Sequence, residues 1–450
     1  MVIEMRSFRI TVGLTLLAIL LLSVGAGAVP VEKWNKTFAE SDDTTVSDIQ
    51  QTSDGGYIFV GSITNHSDPV NHHKYAWVVK IGANGNEDWS RSYVGEISSY
   101  SARISDPVSG ERTVSGTEST AHANAVQQVA DGGYAIIGGY MIGGGAARVI
   151  WLINIDANGN ERWNKTFGGI GYGGYAYSLE QTSDSGYIIT GSKGDIFDKD
   201  AWLIKTDANG NEEWNKTFGG KSNFHFVQQT SDGGYILAGG YQKYMESGPI
   251  SEGWIIKTDA NGNEQWNKTV TYSPGFINQT SDGYILANST GWYKVDTEGN
   301  EQWNKTFRKT EKDVAFSYKQ ASDSGFILGG QTSISSQERG VYTDAWLSKI
   351  DSNGNEQWNL TFGKPGSNIV SVEQTLDSGY ILAGNQLSSG VGSNTWLIKL
   401  SKEPVETTKV PTTSPTDKTE ISPTQKGAGF EVVLAIAILS IIYLLRRKTR

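Results

Sequence analysis

The sequence contains no cysteine, and it has fewer basic than acidic residues. Without cysteine there is no disulfide scaffold, thiolate metal site, iron–sulfur cluster or cysteine nucleophile. With 38 basic and 48 acidic residues the net charge is −10, which argues against nucleic acid as a partner. Helical periodicity is also missing from the body of the chain. Aromatic residues make up 11% of the sequence, which is too many for a chain disordered throughout.

The first residues have the pattern of an export signal. Two arginines precede an apolar run from Ile10 to Val24, and the small residues Ala26 to Ala28 follow it. This order of basic, apolar and small residues predicts a secretory signal peptide over residues 1–28. An uncleaved N-terminal anchor is the alternative.

The C-terminal end has the pattern of a stalk and a membrane segment. Residues 401–429 are rich in threonine, proline and serine, which predicts an extended stalk that buries no core. Residues 430–450 combine an apolar run with a basic cluster, which predicts a transmembrane or sorting tail. The positive-inside rule keeps the basic cluster in the cytoplasm and leaves the body outside the cell.

The tail also resembles a known processing signal. Residues 429–431 (Gly-Phe-Glu), the apolar run after them and the basic pair 446–447 resemble the archaeal PGF-type C-terminal sorting signal. Ala428 stands where that family usually has proline. The resemblance implies that the tail is removed and that a lipid anchor replaces it. A permanent transmembrane helix is the alternative.

Three motifs recur seven times in the body, between residues 32 and 400. The motif E-x-W-N-K-T-F is centred on Trp34, Trp89, Trp163, Trp214, Trp266, Trp303 and Trp358. The motif T-S-D-G-G-Y-I-L-A-G is marked by Asp54, Asp131, Asp184, Asp232, Asp282, Asp323 and Asp377. The motif A-W-L-I-K-x-D is marked by Trp77, Trp151, Trp202, Trp254, Trp292, Trp346 and Trp396. Two tryptophans per unit account for all 14 in the protein.

Each unit of roughly 53 residues has the pattern of four strands. In the third unit, Leu179–Gln181 ends one strand and Tyr187–Thr190 forms a second. Trp202–Thr206 and Glu213–Phe218 supply the third and fourth strands, which are joined by an Asn-Gly hairpin turn. Four-stranded units repeated in this way predict an all-β fold, a seven-bladed β-propeller over residues 29–400.

The ends of the repeat region favour a closed ring over a solenoid. The region begins with a fourth-strand motif, Glu32–Phe38, and it ends after a third strand, at Leu400. The N-terminal strand is therefore expected to complete the last blade and close the ring. A solenoid would instead need polar caps at both ends, and neither end has one. The tryptophans, invariant in every unit, are expected to pack between blades.

The repeats resemble those of secreted and surface propeller proteins of archaea and bacteria. Those proteins carry W-L-I-K-T-D-A-N-G-N-E-x-W-N-K-T-F and Q-T-S-D-G-G-Y-I-L-A-G, and the similarity covers nearly the whole body. The resemblance implies a propeller on an exported surface protein and brings no assigned activity.

The two sets of connections differ in how much they vary. The S-D-G-G and A-N-G-N turns are short and nearly identical in every unit, whereas the other two connections vary greatly. The fifth unit is trimmed. Long variable loops are predicted at Ser62–Tyr75, Tyr93–His122, Tyr241–Gly253 and Gln331–Asp344. Since binding residues are concentrated on variable loops of a rigid scaffold, recognition is expected on this face.

Candidate metal and catalytic residues are few. All five histidines fall on the predicted variable face, but their spacing matches no metal site: His66, His72, His73, His122 and His225. The Asp-x-Asn-Gly-Asn-Glu turns offer oxygen ligands that would suit calcium, although a hairpin turn also explains them. No catalytic triad or paired-carboxylate motif stands out, so no catalytic, cofactor-binding or metal residue is assigned and the chain is not predicted to be an enzyme.

N-glycosylation is the clearest modification signal. The N-x-S/T pattern occurs at Asn35, Asn65, Asn164, Asn215, Asn267, Asn278, Asn288, Asn304 and Asn359. Six of these sites belong to the W-N-x-T motif of the predicted outermost strand. The alternative is that these polar residues merely protect an exposed edge strand from pairing.

The sequence as a whole predicts a cell-surface binding or adhesion module, anchored to the plasma membrane, that recognises an envelope protein or glycan. Two alternatives stay open. One is a structural envelope glycoprotein without a specific ligand, and the other is a propeller hydrolase or quinone-type enzyme.

Overall fold

The computed structural model describes sixteen segments of the chain. They are residues 29–38, 43–65, 72–95, 98–106, 110–142, 147–169, 173–194, 199–219, 222–245, 248–271, 273–288, 291–306, 313–336, 340–362, 365–387 and 392–402. The predicted signal peptide, nearly all of the stalk and the sorting tail lie outside them.

The described residues form β-strands and no helix, which confirms the all-β prediction. The strands are β1 (Glu32–Phe38), β2 (Asp43–Gln51), β3 (Tyr57–Asn65), β4 (His72–Ile81), β5 (Glu87–Tyr93), β6 (Ser98–Asp106), β7 (Gly110–Gln128), β8 (Tyr134–Ile142), β9 (Ala147–Ile155) and β10 (Glu161–Gly168). They continue with β11 (Gly174–Gln181), β12 (Tyr187–Gly194), β13 (Lys199–Thr206), β14 (Glu212–Phe218), β15 (Ser222–Gln229), β16 (Tyr235–Met245), β17 (Gly248–Thr258), β18 (Glu264–Val270), β19 (Phe276–Thr280) and β20 (Gly283–Ala287). The last are β21 (Gly291–Val295), β22 (Glu301–Thr306), β23 (Asp313–Gln320), β24 (Phe326–Ser336), β25 (Gly340–Ile350), β26 (Glu356–Phe362), β27 (Ser367–Gln374), β28 (Tyr380–Leu387) and β29 (Ser393–Leu400).

Successive strands pair in antiparallel groups of four, as the repeat pattern predicts. Unit 1 is β2–β5, unit 2 is β7–β10, unit 3 is β11–β14, unit 4 is β15–β18, unit 5 is β19–β22 and unit 6 is β23–β26. Unit 7 contains β27, β28 and β29, and its fourth strand is β1. The first strand of the body therefore pairs with the last, with Phe38 opposite Thr395. This pairing confirms the strand partner expected from the ends of the repeat region.

The apolar core lies between units rather than within one sheet. In each strand of the A-W-L-I-K motif, aliphatic side chains are fully buried, such as Leu203 and Ile204 of β13. One buried cluster joins Ile188 and Leu203 of unit 3 to Phe224 and Leu237 of unit 4. Another joins β1, β2 and β3 to β28 and β29, so unit 7 packs against unit 1. The sheets are thus held face to face by burial of apolar area.

The indole rings of the outer strands confirm the predicted packing between units. Trp34 of β1 donates its Nε1 hydrogen to the carbonyl of Ala83 in the turn of unit 1, at 3.1 Å. The ring also lies against Gly85 of that turn, where a Cβ would come within 3.0 Å of it. Gly85 has a φ of 76°, in the left-handed region that favours glycine. Trp89 makes the same bond to Ala157 in the next unit.

Candidate functional site

The two ends of the sheets differ in the way that the sequence predicts. In each antiparallel unit, the first and third connections lie at one end and the second lies at the other, because successive strands reverse direction. We call these the turn end, with the S-D-G-G and A-N-G-N turns, and the hairpin end. The strands that reach beyond the common body do so at the hairpin end, in β3/β4, β7, β16/β17 and β24/β25.

The connections predicted as long loops are largely β-hairpins, so that prediction was wrong in conformation. Strands β16 and β17 pair as far as Met245 and Gly248, and β24 and β25 pair as far as Ser336 and Gly340. In the segment Tyr93–His122, β6 pairs with β7 over nine residues. The physical reason is that a chain extending past the body satisfies its backbone N–H and C=O groups by pairing with itself.

Two of these hairpins join into one small sheet. Residues His72–Lys74 of β4 pair in parallel with Glu118–Thr120 of β7, which also pairs with β6. The strand order there is β3-β4-β7-β6. This mixed sheet links units 1 and 2 at the hairpin end, and it is the largest departure from the repeat in the described chain.

The aspartates of the S-D-G-G turns hold a buried lysine. The Asp54 carboxylate accepts from the Thr52 hydroxyl at 2.5 Å, and its other oxygen lies 2.9 Å from Lys80 Nζ. Burial acts to raise the pKa of Asp54, but these hydrogen bonds lower it to about 2. The lysine side chain is 5% exposed. Equivalent pairs occur in units 3 to 7: Asp184–Lys205, Asp232–Lys257, Asp282–Lys294, Asp323–Lys349 and Asp377–Lys399.

Unit 2 pairs its turn aspartate with a different cation. Asn154 occupies the lysine position, and Arg162 of the outer strand supplies the cation instead. Arg162 Nη1 lies 2.7 Å from Asp131 Oδ2 and 3.4 Å from Asn154 Oδ1. A β-bulge between Glu161 and Trp163 aims Arg162 at this site. The turn aspartates are therefore structural in every unit.

The A-N-G-N turns use their aspartate as an internal cap. Asp156 Oδ1 accepts from the backbone N–H groups of Asn158 and Asn160, both at 2.8 Å. Its Oδ2 accepts from Asn160 Nδ2 at 2.9 Å. Hydrogen bonds from Asn160 lower the pKa of Asp156. Asp207, Asp259, Asp296 and Asp351 repeat this pattern, so turn geometry alone accounts for the residues that would suit calcium.

The innermost strands contribute a set of residues that the sequence analysis missed. We call β2, β7, β11, β15, β19, β23 and β27 the inner strands. Each has a glutamine at its last position, or at the position before it in β19. Five of these glutamines accept a hydrogen bond from a backbone N–H in the turn of the preceding unit: Ser53 to Gln128, Ser183 to Gln229, Ser231 to Gln279, Ser322 to Gln374 and Leu376 to Gln51. In the sequence, the recurring Q-Q-T and E-Q-T triplets could have indicated these residues.

The residue before that glutamine makes a second ring of bonds. Its side-chain oxygen accepts from the backbone N–H of the next unit's glutamine: Gln50 from Gln128, Gln127 from Gln181, Glu180 from Gln229, Gln228 from Gln279 and Glu373 from Gln51. An amide and a carboxylate fill the same structural position. The charge of Glu180 and Glu373 is therefore not required for this bond.

The inner strands surround a cavity of about 350 Å³. All seven inner strands or the residues next to them line it, and its charged residues include Asp48, Glu180 and Lys319. Burial raises the pKa of Glu180 to about 7, against the hydrogen bond from Gln229. Burial also raises the pKa of Asp48 and of Glu373, and in both cases the charge of Lys319 opposes the shift.

The structure describes four of the five histidines. His225 lines the cavity, where burial lowers its pKa. His122 lies on β7 in unit 2, and burial lowers its pKa to about 4. His66 is outside the described residues, while His72 and His73 begin β4. Within the described segments, no three His, Asp or Glu side chains are grouped so that they would hold a metal ion.

The nine sequons fall into two structural groups. The six asparagines of the W-N-x-T motif are exposed on the outermost strands: Asn35, Asn164, Asn215, Asn267, Asn304 and Asn359. Asn65 ends β3 at the hairpin end. Asn278 is half-buried on the inner strand β19, and Asn288 is 4% exposed, with its Oδ1 accepting from the N–H of Gly291.

No protein-family model matches this chain, and no curated protein matches its sequence. Among solved structures, the chain is similar to BamB from Moraxella catarrhalis, at 10% identity over 82% of this chain and 100% of that one, with a TM-score of 0.40. It is also similar to the Pan2 WD40 domain of Neurospora crassa, at 11% identity over 62% of this chain and 88% of that one, with a TM-score of 0.40. Both similarities are too low to bear on function.

Within the described residues, no helix is long and apolar enough to cross a bilayer. The predicted signal peptide, residues 1–28, and the predicted transmembrane or sorting tail, residues 430–450, lie outside the described residues.

Proposed function

We propose that this protein is an exported, surface-anchored, seven-bladed propeller that binds an envelope protein or glycan through its hairpin end. The observation that carries the proposal is the contrast between the two ends. The turn end repeats an aspartate–cation pair in all seven units and an aspartate-capped turn in units 2 to 6. The hairpin end instead bears hairpins of different lengths and one mixed sheet. Recognition surfaces are built on such variable elements, held by a rigid scaffold.

Contacts between the last unit and the first support a closed ring. The N–H of Leu376 in unit 7 donates to Gln51 Oε1 in unit 1, and the N–H of Gln51 donates to Glu373 of unit 7. The N–H of Val46 in unit 1 also donates to Asn385 Oδ1 of unit 7, at 2.8 Å. The first two of these bonds repeat those between neighbouring units, so we infer seven blades in one ring.

The position at the cell surface is proposed from the two ends of the sequence. We propose that residues 1–28 direct export, that residues 401–429 form a stalk and that residues 430–450 anchor the chain or are exchanged for a lipid. The resemblance to archaeal surface propellers and to PGF-type tails supports this arrangement. The same resemblance brings no catalytic residue, and a binding role is therefore preferred over an enzymatic one.

We also propose glycans on the outer strands, since six W-N-x-T asparagines are exposed there. Mass spectrometry of glycopeptides from native material is expected to find glycans at one or more of these six sites and none at the buried Asn288. The difference is expected because a glycan needs space around its asparagine, and the side chain of Asn288 is only 4% exposed. Native peptides that carry no glycan at any exposed site would show that these residues only protect the sheet edge, and would weaken the alternative of a structural glycoprotein.

Shortening a hairpin is expected to weaken binding to the envelope partner. In the test, residues 242–251 at the tip of β16/β17 are replaced by an Asn-Gly turn, and the β6/β7 hairpin is removed in a second variant. Each is compared with the parent protein in binding to arrays of envelope glycans and to solubilised envelope proteins. Loss of at least about tenfold in affinity is expected, because interfaces concentrate their energy in a few residues.

The control places a bulky charge at the other end. Ala208 is exposed in an A-N-G-N turn, so Ala208→Arg perturbs the turn end alone and should leave binding unchanged. Equal binding by the parent and both hairpin variants, all folded, would remove the hairpin end as the recognition surface.

A further inference from the structure

A one-residue β-bulge recurs in the inner strands of units 1, 2, 3, 4, 6 and 7. The register between the first and second strand of the unit shifts at the same place each time, for example between Val46 and Asp48 and between Phe224 and Phe226. The residues at these shifts are Ser47, Asn124, Tyr177, His225, Phe316 and Val370. All six line the cavity. We call them the bulge ring.

The bulge residues differ in chemistry from unit to unit, whereas the residues that precede them are alike. The residue that precedes each bulge is apolar and buried, as Ala123, Ala176 and Ile369 illustrate. The six bulge residues, in contrast, are six different amino acids with different chemistry. A bulge costs ladder hydrogen bonds and re-aims one side chain, and bulges are frequent beside binding sites for that reason. Six of them directed at one cavity indicate a built recognition surface.

The bulge ring has an aromatic sector next to Glu180. Tyr177 lies on the same inner strand as Glu180, and the ring of His225 on the neighbouring strand lies 5.1 Å from the Tyr177 ring, edge to face. His225 also hydrogen-bonds Asn223 at 2.8 Å, which fixes its orientation. On the inner strand of unit 6, Phe316 also lines the cavity, and it is 44% exposed. This sector offers aromatic surface for an apolar body.

Glu180 is the cavity carboxylate without a cation. Asp48 accepts three hydrogen bonds, from Ile49 N, Val126 N and the Ser371 hydroxyl. Lys319 acts electrostatically on Asp48 and on Glu373. Only burial and the hydrogen bond from the Gln229 N–H shift the pKa of Glu180. That hydrogen bond reaches Glu180 Oε2. Among the described residues, Glu180 Oε1 has no protein donor, so this oxygen is available to a ligand.

We propose that the central cavity binds a small organic cation, whose ammonium or guanidinium group pairs with Glu180 and whose apolar or aromatic body contacts the bulge ring. A volume of about 350 Å³ lies within the ordinary range of small-molecule sites. A charge-assisted hydrogen bond inside a cavity is stronger than one in water, and an aromatic face attracts a cation further. An anionic ligand would instead face two cavity carboxylates, Asp48 and Glu180, against one lysine, Lys319. The inference goes beyond the proposed recognition at the hairpin end and does not depend on it.

The test uses the full chain and the amine tyramine as the probe, with 4-propylphenol as its neutral isostere. Isothermal titration calorimetry is expected to show binding of tyramine and at least about tenfold weaker binding of 4-propylphenol, since only the amine pairs with Glu180. Glu180→Gln is expected to weaken tyramine binding by about tenfold or more. The variant should keep its fold, because glutamine already makes the equivalent backbone bond at Gln127 and Gln228.

Two further variants separate charge from shape. Tyr177→Leu is expected to weaken both probes, because it removes aromatic surface from the bulge ring. Glu87→Gln removes an exposed carboxylate on an outer strand and should leave both affinities unchanged. The proposal is overturned if tyramine does not bind at all, if both probes bind equally, or if Glu180→Gln and Glu87→Gln bind tyramine as well as the parent. Loss of hairpin-end binding would leave these results unaffected, so the two proposals can fail separately.

Discussion

Replacing Phe38 by alanine is expected to lower the free energy of unfolding by about 3–5 kcal/mol, although this residue lies at the end of the first described strand. Phe38 pairs with β29 of unit 7, while its ring lies edge-on to Phe59 of unit 1, with ring centroids 5.1 Å apart. It is 8% exposed and belongs to the cluster shared by units 7 and 1. If the ring is closed, losing this side chain opens a cavity at the seam.

Phe218 provides a matched control for this prediction. It occupies the same place in unit 3, is also 8% exposed, and lies edge-on to Phe224 of unit 4 at 5.6 Å. Urea unfolding followed by tryptophan fluorescence is expected to give equal losses for Phe38→Ala and Phe218→Ala. A loss below about 1 kcal/mol for Phe38→Ala, beside a full loss for Phe218→Ala, would contradict closure of the ring by the N-terminal strand.

Replacing the buried Lys257 by asparagine is expected to cost about 2–3 kcal/mol, most of which a second substitution should restore. Lys257 is 5% exposed and donates to Asp232, to the carbonyl of Thr258 and to Gln265 Oε1. Hydrogen bonds to charged groups contribute about 1.5–3 kcal/mol. The cost stays below that of a fully buried ion pair because Asp232 is 55% exposed.

The rescue copies the arrangement of unit 2. Gln265 stands at the outer-strand bulge that Arg162 occupies there, so Lys257→Asn with Gln265→Arg reproduces the Asn154–Arg162 pair. Chemical unfolding of the single and double variants gives the coupling energy. Gln265→Arg alone, with the lysine still present, is the control and should bring no gain. A double variant as unstable as Lys257→Asn would show that the unit 2 arrangement does not transfer.

The repeat motifs were sufficient to predict most of the local structure. The four strands expected in unit 3 appear as β11 to β14, because the Asp-Gly and Asn-Gly turns fix where each strand must end. The trimmed fifth unit appears as four short strands. The pairing of β1 with β29 followed from the order of motifs alone. These features depend on residues near each other in sequence or on a motif that recurs.

The sequence by itself determined the all-β units, their turns and the strand that completes unit 7, since turn chemistry and strand alternation are local properties. Only the tertiary structure decided that the predicted long loops pair as hairpins, that Arg162 replaces a lysine, and that Glu180 lacks a cation. It also decided that six bulge residues face one cavity. A bulge is a mismatch between two strands, and the pKa of a carboxyl group depends on neighbours from distant units. Neither the bulge nor the environment that shifts the pKa exists until the sheets have paired and packed.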